Sequence, residues 1–484
     1  MSDQLFNQDR LKKRELLLKN GLIPYADTFE RTHTAAQAKL ETENKPTKVA
    51  GRIRSVRTMG KIIFCTLEDI SGTVQIVLRQ DDLGDKIFAR FNELVDESDF
   101  IGVSGSAYVT KRGEHSVLAG AFVMLSKALN GVPSNWYGIS DVETRHRKRY
   151  LELATNPQER DAFRLRSSII RALREFYWQN GFIEVETPTL QRKATGAVAK
   201  PYITKHNATD LEFALRISHE LPLKTLMVAG YERIFELGKA FRNEGVDPSH
   251  LPEHTHIEHY AAYWDYRDNM DFTERMFAHV LKTVGVGQHL TLEDGTKINL
   301  KPTWKRVEFV GLFKKVTKLD LLKVKDAGLQ TFAKTNKIKD ADKLSRIGLI
   351  DQIYKKLIRP TLIDPVFLHG YPTELQPLAR QQDKNPMIVD QFQLVINGWE
   401  MLKAYNELID PVIQRERFAE QAKRKQGGQD ETMEIDDEYI EAMSYGMPPM
   451  SGWGMGVDRF VALLLGKVNL RDVVFFPLVR PSKK

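Results

Sequence analysis

A charged loop set between two strand-like segments constrains this chain more than any other stretch. Residues 231–237 read as one strand and residues 255–263 as its return, which makes an antiparallel hairpin. The loop between them holds Arg242, Glu244, His250 and Glu253, a mixture too polar for a simple turn. An arginine just beyond a strand end is placed to grip a phosphoryl oxygen with two donors, and a glutamate two residues on can accept from an amine. An exposed, salt-bridged hairpin is the plainer reading of the same residues. On the returning strand, His254, His256, Glu258 and Tyr260 share one face by the two-residue period. A carboxylate in mid-sheet is costly unless a cation satisfies it, so Glu258 implies either a cationic ligand or a protein lysine or arginine.

The rest of the 484 residues divides by periodicity. The first 47 read as a helical extension, with a short charged helix over 6–19 ended by Gly21. Period-two alternation then runs from Lys48 to Leu129, broken at Met59-Gly60, Ser71-Gly72 and Lys111-Arg112-Gly113. That is the pattern of a small closed barrel. Arg52, Arg54 and Arg57 lie near Phe64 there. The set suits a nucleic-acid backbone with a base stacked on the ring, and equally a core phenylalanine beside a salt-bridged rim. A charge-dense linker over 134–160 follows. Apolar spacing marks a helix over 162–180, stopped by Gly181, and a short strand over 182–188 closed by proline. Ser218 suits an N-cap for a helix running through Leu226. Beyond the hairpin come a helix over 272–284, a helical insertion over about 312–356 and a strand over 388–396 that turns at Asn397-Gly398. A polar loop over 418–434 and a glycine-rich strand-to-helix transition from Gly452 to Phe460 complete the chain.

The formal charge of +7, from 71 basic and 64 acidic residues, is too small a surplus to argue for nucleic acid by itself. The single cysteine, Cys65, excludes an internal disulfide and a cysteine metal site. No run suits a membrane span or a signal peptide, so the cytoplasm is the expected location.

Three stretches in chain order resemble the three motifs of the class II aminoacyl-tRNA synthetases, and their context is closest to the lysyl-tRNA synthetases. The helix, Gly181, strand and Pro188 resemble motif 1. Phe241-Arg242-Asn243-Glu244-Gly245, with the run up to Tyr266, resembles motif 2. Gly454-x-Gly456-x-Asp458-Arg459, with Arg471-Asp472-Val473 and Phe476-Pro477 after it, resembles motif 3. Gly51-Arg52-Ile53-Arg54, Gly60-Lys61 and Phe64 to Asp69 are similar to the opening of the OB-fold anticodon-binding domain of the lysyl and aspartyl enzymes. The likeness spans roughly Lys48 to Pro481. It implies an α+β chain with an N-terminal OB-fold β-barrel over 48–133 and a class II catalytic domain over 161–484, an antiparallel sheet flanked by helices. It also implies a homodimer through the motif 1 region. No glycine–lysine phosphate loop of the parallel-sheet nucleotide folds is present, in agreement.

The reaction so implied has two steps. The carboxylate of L-lysine attacks the α-phosphorus of ATP with loss of pyrophosphate, and the lysyl group passes to the 3′ end of tRNA(Lys). By the resemblance, Arg242 and Arg459 are the catalytic cations, and Glu244, His250, His254 and Glu400 complete the ATP site. Lysine falls to Gly196, Glu220, Glu258, Tyr260, Lys403, Tyr405 and Glu407, the anticodon to Arg52, Arg54, Arg57 and Phe64, and Mg²⁺ to Glu400 and Gln393. The chain departs from the family pattern at several positions. His254 stands where phenylalanine usually stacks on adenine, Ser249 replaces an arginine, Lys403 an asparagine and Trp399 an arginine. Thr195 replaces a glycine, and Gln393 one of two acidic Mg²⁺ ligands. Among His250, His254, His256 and His259, the last points away from the His254–His256 face and no cysteine helps, so no structural zinc is expected. Two other functions share part of the pattern: a paralogue that ligates lysine or a lysine-like amino acid to a protein or an altered tRNA, and a non-catalytic RNA-binding homologue. The known paralogue of the first kind lacks the N-terminal domain, and the second is free to lose Arg242 or Arg459. Residues 48–129 and both arginines are present here.

Overall fold

The computed structural model describes residues 5–133, 139–197, 199–245, 247–376, 379–426 and 436–479. The chain forms two compact units, one taking residues up to Ser140 together with Tyr150–Asn156, the other Asp141–Arg149 and Pro157 onward.

In the first unit, five strands close into a barrel: Pro46–Met59, Ile62–Asp69, Gly72–Arg79, Phe100–Val109 and His115–Ser126, with the last two exchanged in spatial order. The first strand serves two neighbours, pairing the second along its C-terminal half and the fourth along its N-terminal half. A bulge between Ile53 and Ser55 lets it bend between them. Alternation decides what fills the interior. Ile63, Cys65 and Leu67 point into the core, while Phe64 between them does not. A helix over Asp85–Leu94, invisible to the period-two reading, adds Phe88, Phe91 and Leu94 to that core. The helix Ala35–Leu40 is opened by a capping box of Thr34 and Gln37. Burial pushes the Cys65 thiol up to about 12. A native sample is therefore expected to resist alkylation at neutral pH and to react only after denaturation, as mass spectrometry would show; rapid native labelling would contradict the burial.

The second unit is built on an eight-stranded sheet. Its order is Lys305–Glu308, Val366–Pro372, Ile388–Ile396, Trp399–Asn406, Met450–Gly456, Glu253–Ala262, Arg233–Phe241 and Ile183–Glu184. The six inner strands run antiparallel, and each edge adds one parallel pair. One face packs on the helices Pro157–Gln179 and Tyr266–Val284, where Phe235, Ile257 and Trp453 of the sheet meet Leu173, Tyr177, Phe272 and Phe277. The other face meets the helices Phe309–Thr317, Asp326–Thr335 and Arg346–Ile353 at one end and is left open for the site at the other. These three helices account for the stretch read as a helical insertion.

Several boundaries differ from the sequence reading. The long helix starts at Pro157, because proline loses nothing at a first helical position, whose N–H has no intrahelical partner. Short helices over Val142–Arg147 and Arg149–Thr155 occupy the stretch read as a linker. The region read as a polar loop over 418–434 begins as a helix, Pro411–Gln426, anchored by the buried Phe418; residues 427–435 lie outside those described. Asn397 and Gly398 both have positive φ, 49° and 66°, as the tight hairpin turn requires.

Candidate active site

The hairpin Arg233–Phe241/Glu253–Ala262 lies beside the glycine-rich strand Met450–Gly456, and this pairing makes the site. Register sets Glu258 opposite Gly454, which in turn lies opposite Lys403; Tyr260, Gly452 and Tyr405 form the next row. Side chains on Gly452 or Gly454 would run into neighbours: a Cβ on Gly454 would stand 3.2 Å from His256 Nε2, and one on Gly452 would overlap Glu407 and Tyr260. The glycines thus leave room over the sheet, and two cavities use it.

The first cavity, about 210 Å³, is lined by Arg242, Glu244, His250, His254, Gln393, Glu400 and Arg459 among others. Arg242 follows the strand end directly, and its backbone N–H donates to Pro252 O at 2.7 Å, closing the base of the loop. Burial lowers its guanidinium from the usual value, against Glu244 and Glu258. Arg459 sits in the first turn of the helix Val457–Leu464, donates to Glu400 O at 2.8 Å and lies 3.3 Å from His250 Nε2. Asp247 holds the other side of that imidazole at 2.9 Å. Burial pushes His254 down to about 2, with His256 and the two arginines adding to it, so the ring is neutral. Behind the arginines, Asp458 accepts from Thr255 N at 2.7 Å and pairs with Arg166 at 2.7 Å, tying the long helix to the returning strand.

The second cavity, about 360 Å³, is lined by Gly196, Ser218, Glu220, Glu258, Tyr260, Lys403 and Tyr405 among others. Glu258 is buried and accepts from Ser218 Oγ at 2.8 Å and from the His219 backbone N–H at 3.0 Å. Burial alone would raise its carboxyl, but His219 and His256 outweigh that and hold it well below the carboxylate range. Glu220 accepts from Tyr405 Oη at 2.7 Å and pairs with Lys224 at 2.6 Å. Glu407 does not line the cavity; it is buried behind, against the same Lys224 as an ion pair without hydrogen-bond alignment. Lys403 reaches Gln376 Oε1 and lies over the Tyr405 ring. Arg242, His256, Lys403 and Gly454 line both cavities.

Ser218 is not the N-cap expected of it. His219 holds that place without a side-chain cap; the Ser218 hydroxyl still accepts from the Glu220 N–H at 3.2 Å while donating to Glu258. His259 is removed from any ligand role, as both ring nitrogens are engaged, by Tyr177 and by Asn269, each at 2.8 Å. The sequence reading passed over Lys224, although it follows Glu220 by four residues, a helical ion-pair spacing. Nothing in the sequence signals Arg359, whose guanidinium pairs with Glu400 at 3.2 Å.

On the barrel, Phe64 is half-buried on the outer face, paired in register with Arg57, whose guanidinium lies 5.7 Å from the ring centroid. Arg52 stacks on Phe100 at 4.4 Å, and Arg54 pairs with Glu68 at 3.0 Å. Phe64 lies outside the barrel core, contrary to the core alternative.

The family of class II tRNA synthetases for D, K and N matches residues 141–480, and the OB-fold nucleic acid-binding family matches residues 47–125. The chain belongs to the class II tRNA synthetases. Similar proteins include the lysine–tRNA ligase of Carboxydothermus hydrogenoformans, 43% identical over 477 residues, covering 98% of this chain and 97% of that one. The lysine–tRNA ligase of Aquifex aeolicus is 43% identical over 444 residues, 91% of this chain and 74% of its own. That of Bacillus subtilis is 41% identical over 491 residues, with 99% and 98% covered. Gln393 and Glu400, the two residues expected to hold Mg²⁺, line one cavity and offer it a single carboxylate between them. The Gln393 amide oxygen accepts from Tyr371 Oη at 2.8 Å, and Glu400 is already paired with Arg359.

Proposed function

We propose that the chain activates L-lysine with ATP and transfers the lysyl group to the 3′ end of tRNA(Lys). The observation that carries this reading is the meeting of the two cavities at Arg242. A carboxylate lying in the acid-rich cavity and an α-phosphate lying in the arginine-flanked one come together at that guanidinium. Arg242 neutralises charge developing on the α-phosphate as the carboxylate oxygen bonds to phosphorus and the pyrophosphate oxygen leaves. Arg459 holds the γ-phosphate, His250 lies by the β and γ groups, Glu244 accepts from the adenine amine, and the neutral His254 ring stacks on the base. Glu258 and Tyr260 receive the side-chain ammonium with Glu407 behind them, Glu220 faces the α-amine, and Lys403 lies toward the substrate carboxylate, under the loop at Gly196. No general base is needed, because the nucleophile arrives ionised. The names of the relatives and the barrel domain support the lysine and tRNA assignments.

Of the two residues expected at Mg²⁺, Glu400 supplies a carboxylate and Gln393 a neutral oxygen at most; the ion, when bound, would neutralise phosphate oxygens. Gln393→Glu is therefore expected to lower the half-saturating Mg²⁺ concentration in pyrophosphate exchange several-fold, with lysine affinity little changed. Superimposed titrations would place Gln393 outside the metal shell. On the barrel, Phe64→Ala is expected to weaken tRNA charging by about 1–3 kcal/mol, the worth of one base stack, and to spare exchange. Equal losses in both assays would remove Phe64 from the anticodon platform. We also read the chain as a cytoplasmic homodimer. The lone buried thiol agrees with a reducing compartment, and Trp178 and Ile183 are exposed, 53% each, at the motif 1 edge of the sheet. Incubating the protein with ATP, labelled lysine and a tRNA pool tests the main reading. Label on the 3′ end of tRNA(Lys) is expected; label on protein alone, or none, contradicts it.

A further inference from the structure

His219 is fully buried at the cap of the helix Glu220–Val228, yet neither of its ring nitrogens makes an aligned hydrogen bond, the carboxylates of Glu258 and Glu236 lying beside them at longer range. His256, on the returning strand, also leaves Nδ1 unpartnered. Orphaned polar atoms of this kind are uncommon and costly inside a protein. Here they converge on one carboxylate: Glu258 Oε1 lies 3.4 Å from His219 Nδ1 and 3.8 Å from His256 Nδ1. The two rings stand nearly perpendicular, at 83°, with centroids 6.1 Å apart. One donor atom from each of the three residues falls within 4.8 Å of the others. Two donors bound tetrahedrally to a zinc-sized ion lie ~3.3 Å apart, so small side-chain shifts bring all three onto one cation. Behind His219, Glu236 Oε1 lies 3.8 Å from Nε2 and is itself held by Arg216 and Thr187, the arrangement that orients a ligating imidazole. Two nitrogens and one carboxylate oxygen suit a borderline-soft divalent ion and not Mg²⁺, which takes six oxygens.

We propose that His219, His256 and Glu258 form a three-ligand site for a divalent cation of the zinc type, its fourth position open to the amino-acid cavity that His256 and Glu258 line. The pair of histidines comes from a helix cap and a strand, so no sequence spacing announces it. Glu258 is also the carboxylate assigned to the substrate ammonium. On that reading of the pocket, cation and lysine exclude one another, and the ion is a reversible competitive inhibitor.

Titration of the untagged full chain with Co²⁺ tests the site, because tetrahedral Co²⁺ absorbs strongly in the visible and octahedral Co²⁺ does not. One equivalent is expected to develop the tetrahedral band, and Zn²⁺ to displace it. His256→Leu and His219→Asn should each abolish the band, with folding checked by thermal melting; two variants guard against one that does not fold. Saturating lysine should raise the apparent Kd for Co²⁺ at least tenfold. Absence of the band, or a band unchanged in both folded variants, overturns the cation site whatever the substrate is. A band that needs both histidines but ignores lysine overturns the competition, and the lysine reading itself is decided by pyrophosphate exchange.

Discussion

Arg242→Ala is expected to lower lysine-dependent ATP–pyrophosphate exchange by 10²-fold or more, about 3 kcal/mol of transition-state stabilisation, with the fold intact. Among the described residues the side chain makes one long hydrogen bond, 3.5 Å from its Nε to Ile217 O. The backbone N–H that closes the loop survives the substitution. What is lost is a cation set where both cavities meet, in surroundings whose low dielectric makes its charge count for more than it would in water. Arg242→Lys should recover only part of the activity, since an ammonium cannot offer two parallel donors to a phosphate. Unchanged exchange in the alanine variant, at unchanged thermal stability, would remove Arg242 from the chemistry.

Lys224→Met carries the second large effect, and it acts on the folded state. Lys224 is wholly buried and stands between Glu220 and Glu407. Burial opposes its charge, but the two carboxylates prevail and raise the ammonium above its usual value. Removing it leaves two buried acids without their cation, a change that costs about 3–5 kcal/mol in comparable buried pairs. The loss should depend on pH. Burial already pushes the Glu407 carboxyl up to about 8, with Lys224 pulling it down. Between the ordinary carboxylate range and that value the folded state holds a proton that the unfolded chain has released, so the contribution of Glu407 to stability falls as pH rises. Without Lys224 this window extends upward, so the deficit against the parent should hold level from about pH 5 to about 8 and widen as pH rises beyond it. Chemical denaturation at several pH values measures it; a deficit near zero at pH 8 would mean that Lys224 is not the counter-ion of the pair.

The elements that the sequence revealed are those whose pattern is local. Alternation along residues 48–129 marks a barrel because inward and outward residues differ chemically, as Cys65 and Phe64 do. The motif 2 hairpin was legible for the same reason, and its register then places Glu258 and Tyr260 over Gly454 and Gly452. What stayed hidden depends on distant partners. Arg359 meets Glu400 across 41 positions, and Lys224 meets Glu407 across 183, so neither pairing leaves a periodic trace. The helix Pro411–Gln426 was missed because it is polar nearly throughout, with little apolar stripe to announce it. His219 escaped notice because a histidine at a helix cap looks like any loop residue until the strand beside it is in place.

ATP–pyrophosphate exchange with each of the twenty amino acids tests the central claim most directly, since it reads activation alone and needs no tRNA. Lysine is expected to support exchange at a kcat/KM at least 10²-fold above every other amino acid, because Glu258, which lines the cavity with no lysine or arginine ion-paired to it among the described residues, is met by a chain ending in an ammonium. Exchange with an uncharged or acidic amino acid in preference to lysine, or with none of the twenty, would contradict the account.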